Sequence, residues 1–175
     1  PLRRIVQGDV GSGKTVVAAL ASIPILESKQ QVVLVAPTSV LANQHYESLK
    51  TMLPDYKIGL ITASSSKSQK SDASFELLIA THAIFYHQEK LINNLGLIII
   101  DEQHRFGVKQ RSQLSSIQSQ QNNSHLLQLT ATPIPRSIAL SLFGDYEVSY
   151  IEKPSMRRPV DTLLTPESKR EDSYA

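Results

Sequence analysis

The stretch QGDVGSGKT at residues 7–15 constrains the fold of this chain more than any other. It holds three glycines and ends in a lysine and a threonine. Because glycine permits positive φ angles, several backbone N–H groups can converge on one anion without a Cβ atom in the way. An apolar run precedes the stretch and a helical pattern follows it, so the partial positive charge of a helix N-terminus is added. The sequence therefore predicts a phosphate-binding loop between a strand and a helix.

The spacing inside this loop assigns a role to each residue. Gly8, four further residues and then Gly13-Lys14-Thr15 match the pattern of nucleotide-binding phosphate loops. We expect Lys14 to reach the β- and γ-phosphates and Thr15 to offer its hydroxyl to Mg²⁺. A glycine-rich turn with a surface lysine is the alternative, and the strand, the helix and the complete pattern weigh against it. The predicted nucleotide-binding residues are Gly8, Asp9, Val10, Gly11, Ser12, Gly13, Lys14 and Thr15.

Short apolar runs rich in β-branched residues alternate with amphipathic stretches along the chain. Alternation of this kind is typical of an α/β fold. The run LGLIII is apolar throughout, which suits a parallel strand that is covered on both faces. The sequence thus predicts a doubly wound α/β domain, with a mostly parallel β-sheet and helices on both faces. Strands are predicted at 4–7, 31–36, 57–62, 76–80, 97–101, 126–130 and 147–151.

Helical periodicity is present in several of the intervening stretches. The pattern at 14–27 contains Pro24, which is expected to kink the helix or to end it early. Further helices are predicted at 39–53 and at 134–143. The apolar stripe of the helix at 39–53 is expected to consist of Leu41, His45, Leu49 and Met52.

The composition limits the classes of protein to which the chain can belong. Its 175 residues, of which 41% are hydrophobic and 19% charged, fit one globular domain. The absence of cysteine excludes a disulfide framework and a cysteine-ligated zinc site, and it favours a reducing, cytoplasmic compartment. No apolar run approaches the roughly 20 residues of a membrane helix. A formal net charge of +2 is too small to indicate nucleic-acid binding by itself.

A second motif, LGLIIIDEQH at 95–104, ends an apolar strand in two carboxylates. In a doubly wound fold the tip of such a strand emerges at the carboxyl edge of the sheet, beside the phosphate loop. Asp101 can hold Mg²⁺ and its waters, and Glu102 can polarise the attacking water. Two acidic residues at a strand end are otherwise an ordinary surface feature, but together with a phosphate loop they indicate nucleotide hydrolysis. The predicted catalytic residues are Lys14, Asp101 and Glu102, and the predicted metal ligands are Thr15 and Asp101.

A third stretch, LTATPIPR at 129–136, follows another apolar strand and places Thr130 and Thr132 on either side of Ala131. Hydroxyl groups at a strand end can bond to neighbouring carboxylates or phosphates. A plain strand-to-helix turn before two prolines explains the same residues equally well. The residues alone leave both interpretations open.

The order of these motifs resembles the first motor domain of superfamily-two helicases. Over most of residues 4–160, the stretches QGDVGSGKT, APTSVLANQHY, THAIF, DEQHRFGVKQR and TATPIPRSIAL resemble the RecG family of bacterial ATP-dependent DNA helicases. That family remodels stalled replication forks and branched recombination intermediates. Transcription-repair coupling factors carry a similar box, which usually reads DEEQRFGV, whereas Gln103 and His104 here follow the RecG form. The resemblance implies a RecA-like P-loop NTPase domain that uses ATP and Mg²⁺.

The resemblance also implies site residues outside the nucleotide loop. Those implied to link the nucleotide state to the grip on DNA are His104, Thr130 and Thr132. Those implied to touch the sugar-phosphate backbone, at two strand-to-helix junctions, are Pro37, Thr38, Thr81 and His82. A helix cap is the alternative for each pair. Ala63, Ala80 and Met156 stand where the family usually has glycine, which puts the local geometry of the DNA contacts in question because alanine resists positive φ.

The resemblance further implies how the chain is organised and what it binds. Residues 1–153 would form the first motor domain, and 154–175 a linker toward a second motor domain. Its partners would be branched DNA, such as replication forks and Holliday junctions, and the second motor domain and wedge domain of the same full-length chain, with no membrane. Because a functional motif follows Pro1 almost at once, we interpret the chain as a piece of a longer polypeptide from the bacterial cytoplasm.

Such a piece is expected to hydrolyse little ATP. In these motors the second domain supplies arginines that stabilise the transition state, an effect worth about 10³–10⁵ in rate in comparable systems. Two alternatives stay open beside the RecG-like helicase. One is the motor domain of a transcription-repair coupling factor, and the other is a nucleotide-dependent binding module that never hydrolyses ATP.

Overall fold

The computed structural model describes residues 1–65, 74–86, 91–102, 124–132 and 146–152 of the chain. The strands are β1 Arg3–Gly8, β2 Gln31–Val35, β3 Ile58–Ile61, β4 Leu77–Ala80, β5 Leu95–Asp101, β6 His125–Thr130 and β7 Glu147–Ile151. The helices are α1 Lys14–Glu27, α2 Ser39–Met52 and a 3₁₀-helix, His82–Tyr86. Each predicted strand is present, with bounds that differ by no more than a few residues.

The strands form one seven-stranded sheet in the order β3-β4-β2-β5-β6-β1-β7. Every neighbouring pair is parallel. All residues of β2, β4 and β5 are buried, as expected for central strands that are covered on both faces. The predicted α/β class with a parallel sheet is therefore confirmed.

The core is divided between the two faces of this sheet. Alternate residues of a strand point to opposite faces. Val32 and Leu34 of β2 accordingly belong to the cluster that contains buried residues of α1 and α2. Val33 and Val35 belong to the other cluster, which contains Ile84 of the 3₁₀-helix. The sheet is thus covered on both faces, and a site can be formed at the edge where the strands end.

Helix α1 continues through Pro24 to Glu27, so the expectation that Pro24 ends the helix early is wrong. Proline removes the N–H group that would bond to the carbonyl four residues earlier, which is that of Leu20. Leu20 is 62% exposed, so this carbonyl lies on the solvent side of the helix, where water can replace the lost donor. The Pro24 carbonyl in turn accepts hydrogen bonds from the backbone N–H and the hydroxyl of Ser28, which close the last turn.

Helix α2 presents a slightly different stripe to the core from the one expected. Its buried residues are Ala42, His45 and Leu49, and Leu53 directly after the helix is also buried. Met52 is 42% exposed, so its predicted place in the stripe is wrong. Positions three and four residues further along a helix both lie close to the same face, so either Met52 or Leu53 could follow Leu49, and Leu53, four residues on, is the buried one.

Parts of the predicted organisation lie outside the described residues. These are the helix at 134–143, the linker at 154–175, and His104. The division into a domain at 1–153 and a linker therefore stays a prediction. None of the helices in the described part of the chain has the length and apolar character of a transmembrane segment.

Candidate nucleotide-binding site

Three adjacent strands bring the predicted site residues to one edge of the sheet. β6 lies between β5 and β1, and all three strands run parallel. Leu129 of β6 is in register with Asp101 on one side and with Val6 on the other. Because neighbouring strands lie about 4.8 Å apart, the backbones at Asp101 and Val6 are separated by about 10 Å. The phosphate loop, which begins at Gly8, and the acidic pair thus emerge side by side.

The backbone of the predicted phosphate loop requires glycine at specific positions. Gly13 has a φ of 96°, a left-handed conformation that side-chain-bearing residues rarely adopt. At Gly8 an added Cβ atom would collide with the side-chain hydroxyl of Ser12 and lie 3.1 Å from Cβ of Ile151, so neighbouring side chains would have to move. The loop therefore curls tightly over the end of β1 before it enters α1.

Lys14 lies folded across this loop. Its Nζ donates hydrogen bonds to the carbonyl oxygens of Gly8, at 2.7 Å, and Asp9, at 3.0 Å. The Asp9 carbonyl also accepts from the backbone N–H of Ser12 at 3.1 Å, and this bond closes the turn. The ammonium group is thereby held at the loop, where it can meet a phosphate.

The loop has the donors that an anion needs. The N-cap of α1 is Gly13, so no side chain caps this end of the helix in the described part of the chain. The first turn of the helix contains no acidic residue, and its amide groups give the helix end a partial positive charge. Ser12 Oγ is buried without a hydrogen-bond partner among the described residues. A phosphate oxygen would satisfy both the hydroxyl and the amide groups, so these residues fit a nucleotide.

Asp101 is buried and is held by a residue that sequence reasoning missed. The side chain of Asp101, at the end of β5, is 9% exposed. Its Oδ2 lies 2.8 Å from Nε2 of His45, which is also buried, on α2. The prediction treated His45 as one member of an apolar stripe. The available signal was a histidine on the inward face of the helix that follows β2, the strand next to β5.

Glu102 is fixed against the stretch that contains Thr130. Its own backbone is left-handed, with φ at 50°, and its N–H donates to the carbonyl of Leu129 at 2.9 Å. Its Oε1 accepts from the backbone N–H of Ala131 at 2.9 Å, and its Oε2 accepts from the Thr130 hydroxyl at 3.5 Å. The hydroxyls of Thr130 and Thr132 lie 2.9 Å apart. The structure thus brings Glu102, Thr130 and Thr132 together, as a linking role would require.

The metal ligands predicted from the sequence are of the chemical type that Mg²⁺ binds. This ion usually binds through one or two carboxylates together with phosphate oxygens and waters. Thr15 in the first turn of α1 and Asp101 at the end of β5 have the required oxygen atoms at the same edge of the sheet. Among the described residues, no three acidic or histidine side chains gather into a metal site of their own. Both assignments stay predictions.

The residues expected to touch DNA lie at the ends of β2 and β4, which are adjacent. Thr38 is exposed and caps α2, since its hydroxyl accepts from the Leu41 N–H at 3.3 Å. Thr81 is buried, and its hydroxyl lies 3.4 Å from the Ala83 N–H. Pro37 and His82 are half-buried. Each threonine is thus a helix cap, while the contact with DNA stays a prediction.

Comparison with known proteins gives one family and a set of relatives. The DEAD/DEAH box helicase family matches residues 3–140. The ATP-dependent DNA helicase RecG of Aquifex aeolicus is 44% identical over 185 residues, which cover 99% of this chain and 23% of the relative. That of Borreliella burgdorferi is 43% identical over 184 residues, covering 99% of this chain and 26% of the relative. The chain spans about a quarter of the length of these curated relatives.

Solved structures have the same fold. RecG bound to a three-way DNA junction superposes with a TM-score of 0.77 at 36% identity, over 99% of this chain and 24% of that one. The Hef helicase domain of Pyrococcus furiosus gives a TM-score of 0.69 at 27% identity, over 85% and 34% of the two chains. Dbp5 of S. cerevisiae, at 18% identity and a TM-score of 0.71 over 87% and 44%, shows a likeness of fold alone.

Proposed function

Since the chain belongs to the DEAD/DEAH box helicase family, we propose that it is the ATP-binding motor domain of an ATP-dependent DNA helicase. The observation that carries the proposal is the common sheet edge where the loop from Gly8 to Thr15 meets Asp101 and Glu102. A phosphate loop alone binds nucleotide. The acidic pair beside it adds the groups that hydrolysis needs.

Each residue of the site has a distinct task in the proposed reaction. The amide groups of the loop and of the first turn of α1 bind the phosphates of ATP. Lys14 exchanges its bonds to the carbonyls of Gly8 and Asp9 for bonds to the β- and γ-phosphates. Thr15 and Asp101 would hold Mg²⁺, which would neutralise charge on the phosphates.

Glu102 orients the attacking water and accepts its proton. Both of its oxygens are engaged, but unequally, since the bond from the Ala131 N–H to Oε1 is 2.9 Å long and the bond from Thr130 to Oε2 is 3.5 Å long. The longer bond is the weaker one. Oε2 is therefore the oxygen that becomes available to water, while Oε1 keeps the carboxylate in place.

The proposed substrate is branched DNA, including replication forks and Holliday junctions. Three observations support it: the relatives are named ATP-dependent DNA helicases, one RecG structure holds a three-way DNA junction, and α2 begins at an exposed edge. The proposed contacts are Pro37, Thr38, Thr81 and His82, with backbone and hydroxyl groups against phosphates. We further propose that His104, Thr130 and Thr132 pass the nucleotide state to these contacts.

A second motor domain and a wedge domain of the full-length protein are proposed to complete the motor. The relatives are about four times longer than this chain, which leaves room for both. By itself the chain is then expected to bind nucleotide but to turn over little ATP, because arginines from the second domain are needed in the transition state. The proposed location is the bacterial cytoplasm, where ATP and the chromosome are found.

The test is ATP turnover by the full-length protein that carries this chain, with and without forked DNA. Glu102→Gln is expected to lower DNA-stimulated turnover by about 10²–10⁴-fold, the usual contribution of a general base, while nucleotide binding persists. The matched control is Glu47→Gln on the exposed side of α2, which should leave turnover unchanged. Intact turnover in Glu102→Gln would show that the role of Glu102 is wrong. No turnover in the unaltered protein would favour a non-hydrolysing binding module.

A further inference from the structure

A hydrogen bond joins two buried side chains, those of His45 and Asp101. Nε2 and Oδ2 are 2.8 Å apart, and the two side chains are 10% and 9% exposed. A carboxylate oxygen can only accept, so Nε2 carries the proton and donates. A hydrogen bond of this kind, with a charged acceptor, is roughly twice as strong as a neutral one.

We propose that His45 is a positioning residue, which fixes the Asp101 carboxylate so that its other oxygen, Oδ1, faces Mg²⁺. The inference rests on the proposed function, because it takes Asp101 as a metal ligand. It assigns a task to a helix residue that belongs to neither the phosphate loop nor the acidic motif.

Asp101 needs such a partner because its backbone does not set the plane of its carboxylate. Register with Leu129 fixes the backbone position. The last torsion of an aspartate, however, is broad rather than confined to narrow rotamer wells. A bond from His45 to Oδ2 selects one orientation of the carboxylate and leaves Oδ1 as the oxygen for the metal.

His45 in turn is held rigidly by its helix. Ala42 and Leu49, one turn to either side of it on the same face of α2, are both fully buried. α2 also packs against α1, the helix that begins with Lys14 and Thr15. The imidazole is therefore anchored to the same layer that carries the phosphate loop. Partners of this type, which orient a ligating carboxylate, typically account for about 10–100-fold in metal affinity.

A purely structural role for His45 is the competing explanation, and it makes a different prediction. If the bond served only to attach α2 to the sheet, its loss would lower stability without changing the response to Mg²⁺. The variants should therefore distinguish the loss of the hydrogen-bond donor from the loss of side-chain packing. Leucine fills the space without a donor, while the amide nitrogen of glutamine reaches about where Nε2 lies, and asparagine is too short to reach there.

The test is binding of a fluorescent ATP analogue to the intact protein, titrated with Mg²⁺ and repeated in EDTA. For His45→Leu we expect the Mg²⁺ concentration at half-maximal binding to rise by about 10–100-fold, with binding in EDTA unchanged. His45→Gln should restore most of the response, and His45→Asn should not. His125→Gln is the control, since Nδ1 of His125 bonds to the Leu2 N–H at the opposite end of β6.

The outcomes distinguish failure of this inference from failure of the proposed function. If the unaltered protein binds no nucleotide, both are overturned. If it binds nucleotide with Mg²⁺, and His45→Leu shows the same Mg²⁺ dependence, the positioning role alone is overturned. Should His45→Leu not fold, as judged by thermal unfolding, the comparison of glutamine with asparagine decides the question. Equal Mg²⁺ responses of those two variants would overturn the proposal.

Discussion

The side chains of Lys14 and Glu102 are both held in place by hydrogen bonds to neighbouring groups. The ammonium group of Lys14 bonds to two neutral carbonyl oxygens, at 2.7 and 3.0 Å. These bonds already have a charged donor, and a phosphate adds a full negative charge on the acceptor, which a carbonyl lacks. A phosphate therefore competes well for the lysine, and the carbonyls of Gly8 and Asp9 keep the side chain close to where it is needed.

Gly13 allows a test of the loop without a steric complication. An added Cβ would meet no atom within 4 Å, so Gly13→Ala changes only the preference for a φ of 96°. Forcing alanine into a left-handed conformation costs roughly 1–2 kcal/mol, which corresponds to about 5–30-fold in an equilibrium constant. We expect the loop of Gly13→Ala to relax out of this conformation in the free protein, so that binding has to restore it. The affinity for the ATP analogue, measured by fluorescence titration, should then fall by up to this factor.

The matched control for Gly13→Ala is Asn94→Ala, at another left-handed position with φ at 50°. Asn94 lies just before β5, at the end of the sheet away from the loop. The control should lower stability, in part because the bond from its side chain to the Lys29 carbonyl is lost, without changing nucleotide affinity. Unchanged affinity in Gly13→Ala would show that this conformation is not needed for binding.

The candidate site was predictable from the sequence where it is built from local motifs. Lys14 lies in a motif that joins a strand to a helix, and Asp101 lies in a motif that ends a strand. Both motifs can be recognised from a short stretch of sequence alone. His45 and Asp101 are 56 residues apart, and their bond depends on the tilt and depth of α2 against the sheet. No local pattern encodes that distance. The burial of Thr81 was missed for the same reason.

At the scale of elements, apolar strands were predicted well because burial on both faces leaves a continuous signature in the sequence. LGLIIID became a strand in which every residue is buried. Ends of helices were less predictable, since Pro24 was tolerated on a solvent-facing turn and Leu53 replaced Met52 in the core. The order of the strands in the sheet could not be predicted from the sequence pattern, because it depends on how the segments that connect the strands pack against the sheet.

Thr38 has two roles that can be tested separately, the cap of helix α2 and the proposed contact with DNA. Thr38→Ala removes the bond to the Leu41 N–H and is expected to cost about 1 kcal/mol of unfolding free energy. Thr38→Asp restores a cap but places a negative charge where a phosphate is proposed to lie. We therefore expect Thr38→Asp to keep its stability in urea unfolding and to lose affinity for forked DNA in fluorescence anisotropy.

Thr38→Asn serves as the neutral control for that experiment, because asparagine caps a helix as well as aspartate does. Its stability and its affinity for DNA should both stay close to those of the unaltered protein. If Thr38→Asp binds forked DNA as tightly as Thr38→Asn does, Thr38 is a helix cap and no DNA contact. That result would leave the nucleotide site untouched, since the two lie on different loops.

At the scale of the whole molecule, the sheet acts as a rigid frame with a functional edge. Its central strands are buried on both faces, and β7 closes one side by pairing with β1. β7 is less buried than the central strands. Arg4 of β1 forms an ion pair with Glu147, but the Glu147 side chain is 64% exposed and that of Arg4 36%, and pairs near the surface contribute little. Attachment of β7 therefore depends on its backbone pairing with β1, on the hydrogen bond from Arg4 to the Ser149 hydroxyl at 2.7 Å, and on packing next to the strand.

Tyr146, directly before β7, makes that packing sensitive to alkaline pH. Its side chain packs against the core face that contains Val33 and Val35, and burial raises the pKa of the Tyr146 hydroxyl above 10.0, although nearby Arg3 opposes the shift. The folded protein thus holds this proton more tightly than the unfolded chain does. The stabilising contribution is complete below the unfolded pKa and is lost as pH rises through the folded pKa.

We therefore expect the free energy of unfolding to fall above pH 10.0, and part of that fall to be absent in Tyr146→Phe, which cannot ionise. Urea unfolding at neutral pH and at several alkaline pH values, compared between the two proteins, measures this part, since all other titrating groups are shared. Tyr150→Phe on β7 is the control, because it removes the same hydroxyl from a side chain that is 57% exposed. If the alkaline loss of stability were the same in Tyr146→Phe as in the unaltered protein, the core beside β7 would have to admit water to Tyr146.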